Sequence, residues 1–569
     1  MDEPPAITSF EVVIVGAGIS GIVAAQRYLE AHPTCNLTLL ERDHCVGGVF
    51  SIKRTYPEFW TQWTYGIAEF ADMPMERPPE EDCRNDCFKA KYTTQYLEKY
   101  VDAKVHQGKP LRDRVLFGIQ VKKIEKVEGK WKLSSVDDEG TDYVFTAEKL
   151  MMANGENSLP NIPDFPGKGE FGGTVIHSQY FGESNIISRK DIQHIAVLGA
   201  GKSSADMVYE AVKTGKTVSW IISKNGTGPG FFAPIDMKSP YTNAVEAAQT
   251  RIMTSLQPSI MLPRNLWTWF LHSTWIGVWL VKFIFGTLDK EIRKRADYKG
   301  RESTKGFADL EYDTGIFWQN GTGGACHHAD LWALVAEHVS VYRDDIRSLS
   351  HKTINLNSGT QIPCDALLCG TGWKPGLEFF SPSLLVSLDL PHSPADEPSS
   401  TTEKWEKLTS EADKKICQRF PLLAKPPSHF HRKLDTTPYR LYNCMAPLHD
   451  DSIIFLNHIT AGNKLFAAEA QAMWAVAYFN GDIELLSVEQ REKRIAEWVA
   501  WCKRRYLSNG ERGTFAAFDG VGYVDGLLDE MRLKGHKKKG WWKYWTAVFF
   551  PRDLGVAWKE YLDRVNKTA

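Results

Sequence analysis

The 569-residue sequence lacks features that would place it in several common protein classes. Its ten cysteines form no Cys-x-x-Cys pair, and the nearest two, Cys83 and Cys87, have three residues between them. That spacing argues against the redox-active pair of a disulfide reductase and against the paired ligands of a structural zinc site. We therefore expect free thiols, a reducing compartment and a cytoplasmic protein.

An excess of either charge is also absent. The 68 Lys and Arg residues nearly balance the 70 Asp and Glu residues, so the composition indicates no nucleic-acid partner. The first ten residues, MDEPPAITSF, resemble neither a secretion signal nor an Arg-rich transit peptide. His327, His328 and Asp330 could suggest a metal, but adjacent side chains rarely point at one centre, so we predict no metal site.

A strand–turn–helix–strand pattern opens the chain. Its glycine turn is Gly16-Ala17-Gly18-Ile19-Ser20-Gly21, and its second apolar run ends at Glu41. Gly16 permits the tight turn, Gly18 lets a pyrophosphate approach the backbone, and Gly21 lets the helix pack on the strand. The helix N-terminus attracts phosphates, and Glu41 can accept hydrogen bonds from ribose hydroxyls. This pattern predicts a dinucleotide site.

A second glycine turn follows another apolar run and reads Gly199-Ala200-Gly201-Lys202-Ser203-Ser204. Ser204 replaces the third glycine and is small enough for close packing of the helix. Lys224 follows the next strand, at a position where an acidic residue would indicate NADH. Because a lysine attracts the 2′-phosphate of NADPH, we predict NADPH as the second cofactor. A solvated loop lysine would give the same pattern.

Two nucleotide motifs in one chain imply two cofactors. The pair Gly47-Gly48, shortly after Glu41, favours FAD for the first motif because it allows another close backbone approach. FAD together with NADPH indicates hydride transfer from the nicotinamide to the flavin.

The segment from Phe171 to Phe181, FGGTVIHSQYF, matches FxGxxxHxxxF and resembles the identifying motif of the flavin-containing monooxygenases. Residues 70–74, 161–167 and 369–373 resemble that family's FSDFP, PxIPGxxG and ATGY segments, in the same order. The resemblance implies that NADPH reduces FAD, that O₂ adds to form a flavin C4a-(hydro)peroxide, and that one oxygen atom then passes to the substrate.

The resemblance also implies which residues hold the cofactors. Gln62 stands where relatives carry an asparagine thought to contact the oxygen adduct, so Gln62 is the predicted catalytic residue. The predicted cofactor-binding residues are Gly16, Gly18, Ser20, Gly21, Glu41, Arg42, Gly48, Val49, Phe50, Asp72, Val121, Gly155, Gly199, Gly201, Lys202, Ser203, Ser204, Lys224, Gly370, Thr371 and Gly372.

The predicted fold class is α/β with two Rossmann-like dinucleotide-binding domains, the NADPH domain being inserted into a discontinuous FAD domain. The predicted divisions are 1–165 and 366–535 for FAD, 166–225 and 315–365 for NADPH, 226–314 for a largely helical apolar insertion, and 536–569 for a C-terminal extension.

The insertion contains residues 265–288, NLWTWFLHSTWIGVWLVKFIFGTL, which are long enough to cross a bilayer but are interrupted by His272, Ser273 and Lys282. Three interpretations stay open: a spanning segment, a helix pair in peripheral contact with a membrane, and a lid over a substrate tunnel. The last two can coexist, and both favour a lipophilic small-molecule substrate, such as a specialised metabolite.

Two alternatives to this activity remain. Baeyer–Villiger relatives, which convert a ketone to an ester or lactone, usually carry Trp where this chain has Phe181, and this difference favours other oxygenations. If Gln62 disturbs the oxygen-reactive pocket, the protein would be an uncoupled NADPH oxidase or a flavin-binding scaffold.

Overall fold

The computed structural model describes residues 7–236, 240–303, 305–318, 323–428, 431 and 433–568. Residues 1–6 of the acidic N-terminal stretch lie outside this part of the chain. The described α-helices are Ile19–Ala31, Lys91–Ala103, Phe181–Ser184, Lys202–Lys213, Ala244–Ala248, Arg251–Ser255, Leu266–Ser273, Trp275–Ala296, Leu331–His338, Pro382–Ser387, Ser399–Arg419, Lys464–Phe479, Val488–Arg505, Gly520–Glu530, Trp541–Thr546 and Pro551–Thr568.

The first sheet has seven strands and is mixed. Its order is Val115–Leu116, Leu37–Leu40, Ile7–Val15, Asp142–Met152, Lys130–Val136 and Gln120–Val127, with Ile453–Phe455 also paired to Asp142–Met152. Lys130–Val136 runs antiparallel to both of its neighbours, Asp142–Met152 and Gln120–Val127, and the remaining pairs are parallel. Leu37–Leu40 is buried throughout, as is usual where a parallel sheet is covered on both faces.

Two helices from distant parts of the sequence pack together in this domain. They are Ile19–Ala31, from the first glycine turn, and Lys464–Phe479, in which every residue from Leu465 to Tyr478 is buried. Apart from Glu469 and Gln471 these buried residues are apolar, as expected for a helix in a protein core. Together with the late strand Ile453–Phe455, this packing makes the first domain discontinuous, as predicted.

The second sheet has five parallel strands in the order Thr174–His177, Ala366–Cys369, His194–Leu198, Thr217–Ile222 and Val339–Arg343. Helix Lys202–Lys213 packs against it, which confirms the second Rossmann-like unit. Strand Ala366–Cys369 lies beyond the boundary that we placed at residue 365. Such a short buried run contains no local signal of the sheet that it joins.

The other described strands form five small sheets of two or three strands each. They are Trp60–Thr64, Cys83–Arg84, Cys87–Lys89, Val105–His106, Lys109–Pro110, Leu159–Pro160, Phe231–Pro234, Gly323–Cys326, Ile346–Ser350, Thr353–Leu356, Gln361–Pro363 and Trp373–Lys374. Phe231–Pro234 pairs in parallel with Gly323–Cys326, so the start of the insertion comes together with the chain that follows it.

The insertion is largely helical, as predicted, and its apolar stretch folds into two helices rather than one. In the described part of the chain no single helix is long and apolar enough to cross a membrane. Only two consecutive helices taken together, Leu266–Ser273 and Trp275–Ala296, are long and apolar enough. The chain bends by 77° between them. Trp269 and Trp279 are each 58% exposed and Trp275 is 80% exposed.

Candidate active site

A cavity of about 380 Å³ lies at the carboxyl ends of the first sheet's parallel strands, where Val15 and Leu40 line it. Nucleotides bind at this position in open α/β sheets. The predicted residues that line this cavity are Gly16, Gly18, Ser20, Glu41, Arg42, Gly48, Val49, Phe50, Gln62, Val121 and Gly155. The structure therefore brings together most of the first predicted group.

The glycine turn leaves a gap of the kind that a phosphate needs. Gly16 has φ +105°, and a Cβ there would lie 2.7 Å from the carbonyl oxygen of Ala153. Gly18 faces Gly48 across the cavity, with 3.8 Å between an ideal Gly18 Cβ and the Gly48 Cα. No described side chain caps helix Ile19–Ala31 at Gly18, so its first N–H groups are available to an anion.

Gly21 lies behind this turn and does not line the cavity. A Cβ on Gly21 would stand 1.9 Å from the carbonyl oxygen of Gly16. Only glycine allows this contact between helix and turn, which is the packing role that we predicted.

Glu41 is buried at the end of its strand and is held by two backbone donors. Its carboxylate accepts the Ala17 N–H at 2.7 Å and the Asp43 N–H at 2.9 Å. Burial raises the pKa of Glu41, and the two N–H donors act against that rise. Each carboxylate oxygen keeps a lone pair for a ribose hydroxyl, so this end of the cavity fits FAD.

Gln62 lines the cavity with its amide already oriented. Its Oε1 accepts the Ala325 N–H at 2.7 Å, and its Nε2 lies 3.1 Å from Nε2 of His327. Burial lowers the pKa of His327 well below its ordinary value, so the imidazole is neutral and can accept one amide hydrogen. The second amide hydrogen of Gln62 remains for a ligand.

Asp72 differs from the prediction because it lines neither this cavity nor the second one described below. Its carboxylate is bound by Arg27 at 3.1 Å, by Lys104 at 2.7 Å and by the Tyr100 hydroxyl at 3.0 Å. The FSDFP-like stretch thus supports the first helix from behind the site.

A second cavity of about 690 Å³ lies along the second sheet. Of the predicted residues, Gly199, Gly201, Lys202, Ser203, Gly370, Thr371 and Gly372 line it. Gly199 has φ +116°, and helix Lys202–Lys213 begins without a described side-chain cap, as at the first turn. The Lys202 ammonium is paired with Asp206 at 2.5 Å, so this residue offers the cavity mainly its backbone.

Two predicted members of the second motif lie outside that cavity. Ser204 is buried, and a Cβ on Gly370 would lie 2.0 Å from its hydroxyl oxygen, so Ser204 serves close packing. Lys224 is exposed on the loop next to Ser223, and Ser223 does line the cavity.

The two cavities share part of one wall, which sequence reasoning missed. Glu156 and Asn157 line both cavities. Glu156 follows the predicted Gly155 directly, but no motif marks it, and its ion-pair partner Lys464 is far away in the sequence.

Comparisons with known proteins agree with this geometry. The family described as pyridine nucleotide-disulphide oxidoreductase matches residues 13–248. The FAD-dependent monooxygenase DEP4 of Fusarium langsethiae is 30% identical, covering 99% of this chain and 96% of its own. The FAD-dependent monooxygenase resA of Aspergillus sclerotiorum is 28% identical, covering 97% and 98% respectively.

Among solved structures, cyclohexanone monooxygenase from Rhodococcus sp. Phi1 bound to NADP⁺ is similar in fold. The TM-score is 0.60 at 16% identity, covering 92% of this chain and 97% of that one.

The chain belongs to the family of FAD-dependent monooxygenases. It is thus a flavoprotein enzyme, and the predictions of fold class, family and the cofactors FAD and NADPH are confirmed. All ten cysteines are free thiols in the structure.

Proposed function

We propose that this monooxygenase inserts one atom of O₂ into a lipophilic small molecule, a specialised metabolite, while the other oxygen atom leaves as water at the expense of NADPH. The observation that carries the proposal is the wall that the two cavities share at Glu156 and Asn157. Ligands in the two cavities are neighbours there, as hydride transfer requires. The apolar insertion supports the lipophilic substrate.

FAD, when bound, supplies two-electron chemistry and the activation of O₂. The chain supplies binding and orientation: Gly18 and Gly48 flank the pyrophosphate gap, and Glu41 accepts from the ribose. Gln62 presents an amide hydrogen held in place by Ala325 and His327. The rings of Phe50 and Trp63, 4.8 Å apart, line the cavity and exclude water from it.

Turnover under ¹⁸O₂ tests this function. The purified enzyme, with NADPH, would be given apolar thioethers, amines and ketones, and the products would be analysed by mass spectrometry. The proposal expects one labelled oxygen per product molecule and matching consumption of NADPH. Labelled esters from the ketones alone would favour the Baeyer–Villiger alternative. Hydrogen peroxide equal to the NADPH consumed, with no substrate oxygenated, would overturn the proposal in favour of an oxidase.

Replacing Lys224 with alanine should weaken NADPH binding about tenfold or more and leave NADH binding nearly unchanged. Lys224 is the exposed cation that we assign to the 2′-phosphate, and a charge-assisted hydrogen bond is worth about 1.5–3 kcal/mol. The neighbouring acid, Asp345, lines the cavity but is engaged by Ser223 and Asn225.

Dissociation constants for both nucleotides, measured by anaerobic titration, decide the role of Lys224. Lys213→Ala, on helix Lys202–Lys213 and paired with Asp330, is the control and should change neither constant. Equal losses for NADPH and NADH in Lys224→Ala would contradict the 2′-phosphate role.

We also propose that the bent helix pair, Leu266–Ser273 and Trp275–Ala296, rests on the cytoplasmic face of an anionic membrane. The free thiols support the cytoplasmic side of this proposal. Its exposed tryptophans are typical of the headgroup region. No acidic residue occurs from Arg264 to Leu288, whereas Lys282 is exposed within that stretch. Apolar contact and attraction to anionic lipid therefore act together.

Cosedimentation with phosphatidylcholine vesicles, with and without phosphatidylserine, tests this contact. We expect binding that requires phosphatidylserine and falls about tenfold or more in a Trp275→Ser/Trp279→Ser variant. Val105→Ser removes an exposed apolar side chain, 55% exposed, on the separate hairpin of Val105–His106 and Lys109–Pro110, and it should bind like the wild type. No vesicle binding, or a dimer that the double substitution dissolves, would contradict the proposal.

A further inference from the structure

An ion pair occupies the wall between the two cavities. Nζ of Lys464 lies 2.5 Å from Oε1 of Glu156. Lys464 lines the first cavity, and Glu156 lines both. Their side chains remain 22% and 26% exposed, so the pair presents accessible charge at the point where the cavities meet.

Lys464 is held where positive potential is already concentrated. It is the first residue of helix Lys464–Phe479, whose N-terminus is capped by the Asn463 side chain. The helix dipole adds partial positive charge at this end. The Lys464 ammonium also donates to the carbonyl oxygen of Ile459 at 2.7 Å, which fixes its position.

Glu156 is held equally firmly and is charged. The Thr460 hydroxyl donates to the same Oε1 at 2.6 Å, and Thr460 itself lines the second cavity. Burial raises the pKa of Glu156, but Lys464 and Thr460 outweigh that effect and bring it below its ordinary value. The carboxylate therefore offsets the Lys464 charge in the ligand-free protein.

We propose that the Glu156–Lys464 pair sets the reduction potential of bound FAD and links it to occupancy of the nicotinamide site. The inference rests on the proposed function, with FAD in the first cavity and NADPH in the second. Hydride transfer moves two electrons and one proton from NADPH to FAD, leaving NADP⁺ and a flavin with one additional negative charge.

Lys464 and Glu156 have opposite effects on the stability of the negatively charged, reduced flavin. The Lys464 ammonium stabilises the reduced flavin, and Glu156 weakens this effect by partial neutralisation. A cationic nicotinamide ring beside Glu156 engages the carboxylate and leaves more of the Lys464 charge to the flavin. Bound NADP⁺ thus raises the reduction potential, and a reduced flavin in turn holds NADP⁺ more tightly.

The test is the midpoint potential of the FAD-loaded protein, measured by dye equilibration with and without saturating NADP⁺. Lys464→Met should lower the equilibrium constant for FAD reduction about tenfold, which corresponds to a midpoint potential about 30 mV lower for a two-electron couple. Lys464→Arg should restore the wild-type potential. Glu156→Gln should raise the potential without NADP⁺ and abolish the NADP⁺-dependent increase seen in the wild type.

A wild-type potential in Lys464→Met, or an unchanged NADP⁺ effect in Glu156→Gln, would overturn the inference. If Lys464→Met does not retain FAD, Lys464→Gln keeps a donor for the Ile459 carbonyl and should show the same lowered potential. Because the measurement needs no oxygenated substrate, it stands even if the proposed substrate class fails. A wild-type protein that binds no FAD would instead refute the proposed function itself.

Discussion

A Gly18→Val variant should fold and purify colourless, with FAD affinity reduced at least about 100-fold. Gly18 has φ −78° and ψ −172°, an extended conformation that valine adopts without strain. Its Cβ would stand 3.8 Å from the Gly48 Cα, which is an ordinary van der Waals contact and not a clash. The valine methyl groups would then fill the gap that the pyrophosphate requires, at a cost of about 3 kcal/mol or more.

The second glycine turn provides a matched control for this prediction. Gly201 has nearly the same conformation, φ −85° and ψ −176°, and a Cβ there would meet no atom within 4 Å. Gly201→Val should stay yellow and lose affinity for NADP⁺. Absorbance spectra and circular dichroism of both variants are sufficient for the comparison. A folded Gly18→Val protein with a full complement of FAD would show that the first turn does not hold the pyrophosphate.

Replacing Arg27 with methionine should destabilise the protein by about 3–5 kcal/mol. Arg27, on helix Ile19–Ala31, pairs with Glu469, on helix Lys464–Phe479, at 2.5 Å, and their side chains are 2% and 0% exposed. Removing the guanidinium leaves Glu469 in the core without its main counter-charge. Urea unfolding followed by tryptophan fluorescence measures the loss.

Two further variants separate this buried pair from ordinary surface charge. Arg27→Met/Glu469→Gln removes both charges while keeping an acceptor for the Ala71 N–H, and it should recover at least half of the loss. Arg532→Met breaks a pair with Glu484 whose side chains are 73% and 81% exposed, and should cost less than about 0.5 kcal/mol. If all three variants unfold at the wild-type urea concentration, Arg27 does not hold the two helices together.

The nucleotide-binding turns could be predicted because their function demands particular residues at fixed spacing. Gly16, Gly21 and Gly199 each lie where a Cβ would meet a carbonyl oxygen at 2.7 Å or less. Such constraints leave a local pattern in the sequence. The discontinuous domain followed from the two motifs together with the resemblance to flavin-containing monooxygenases, whose segments continue at residues 369–373, beyond the second motif.

Other features depend on contacts that no local pattern encodes. Asp72 belongs to a recognisable stretch, yet its side chain points to Arg27, Lys104 and Tyr100 rather than to the cavity. The Gln62 amide is held by Ala325 and His327, which lie far along the chain from it. Its fixed orientation was therefore not foreseeable from the sequence. The pairing of Glu156 with Lys464 likewise arises only when the late helix docks against the first domain.

The central claim is that the shared wall brings a nicotinamide in the second cavity next to a flavin in the first. Anaerobic mixing of the yellow protein with NADPH in a stopped-flow spectrometer tests this most directly. We expect rapid bleaching of the flavin in the wild type and much slower bleaching in Gly201→Val, with dithionite bleaching both equally. A wild-type flavin that dithionite reduces but NADPH leaves yellow would contradict it.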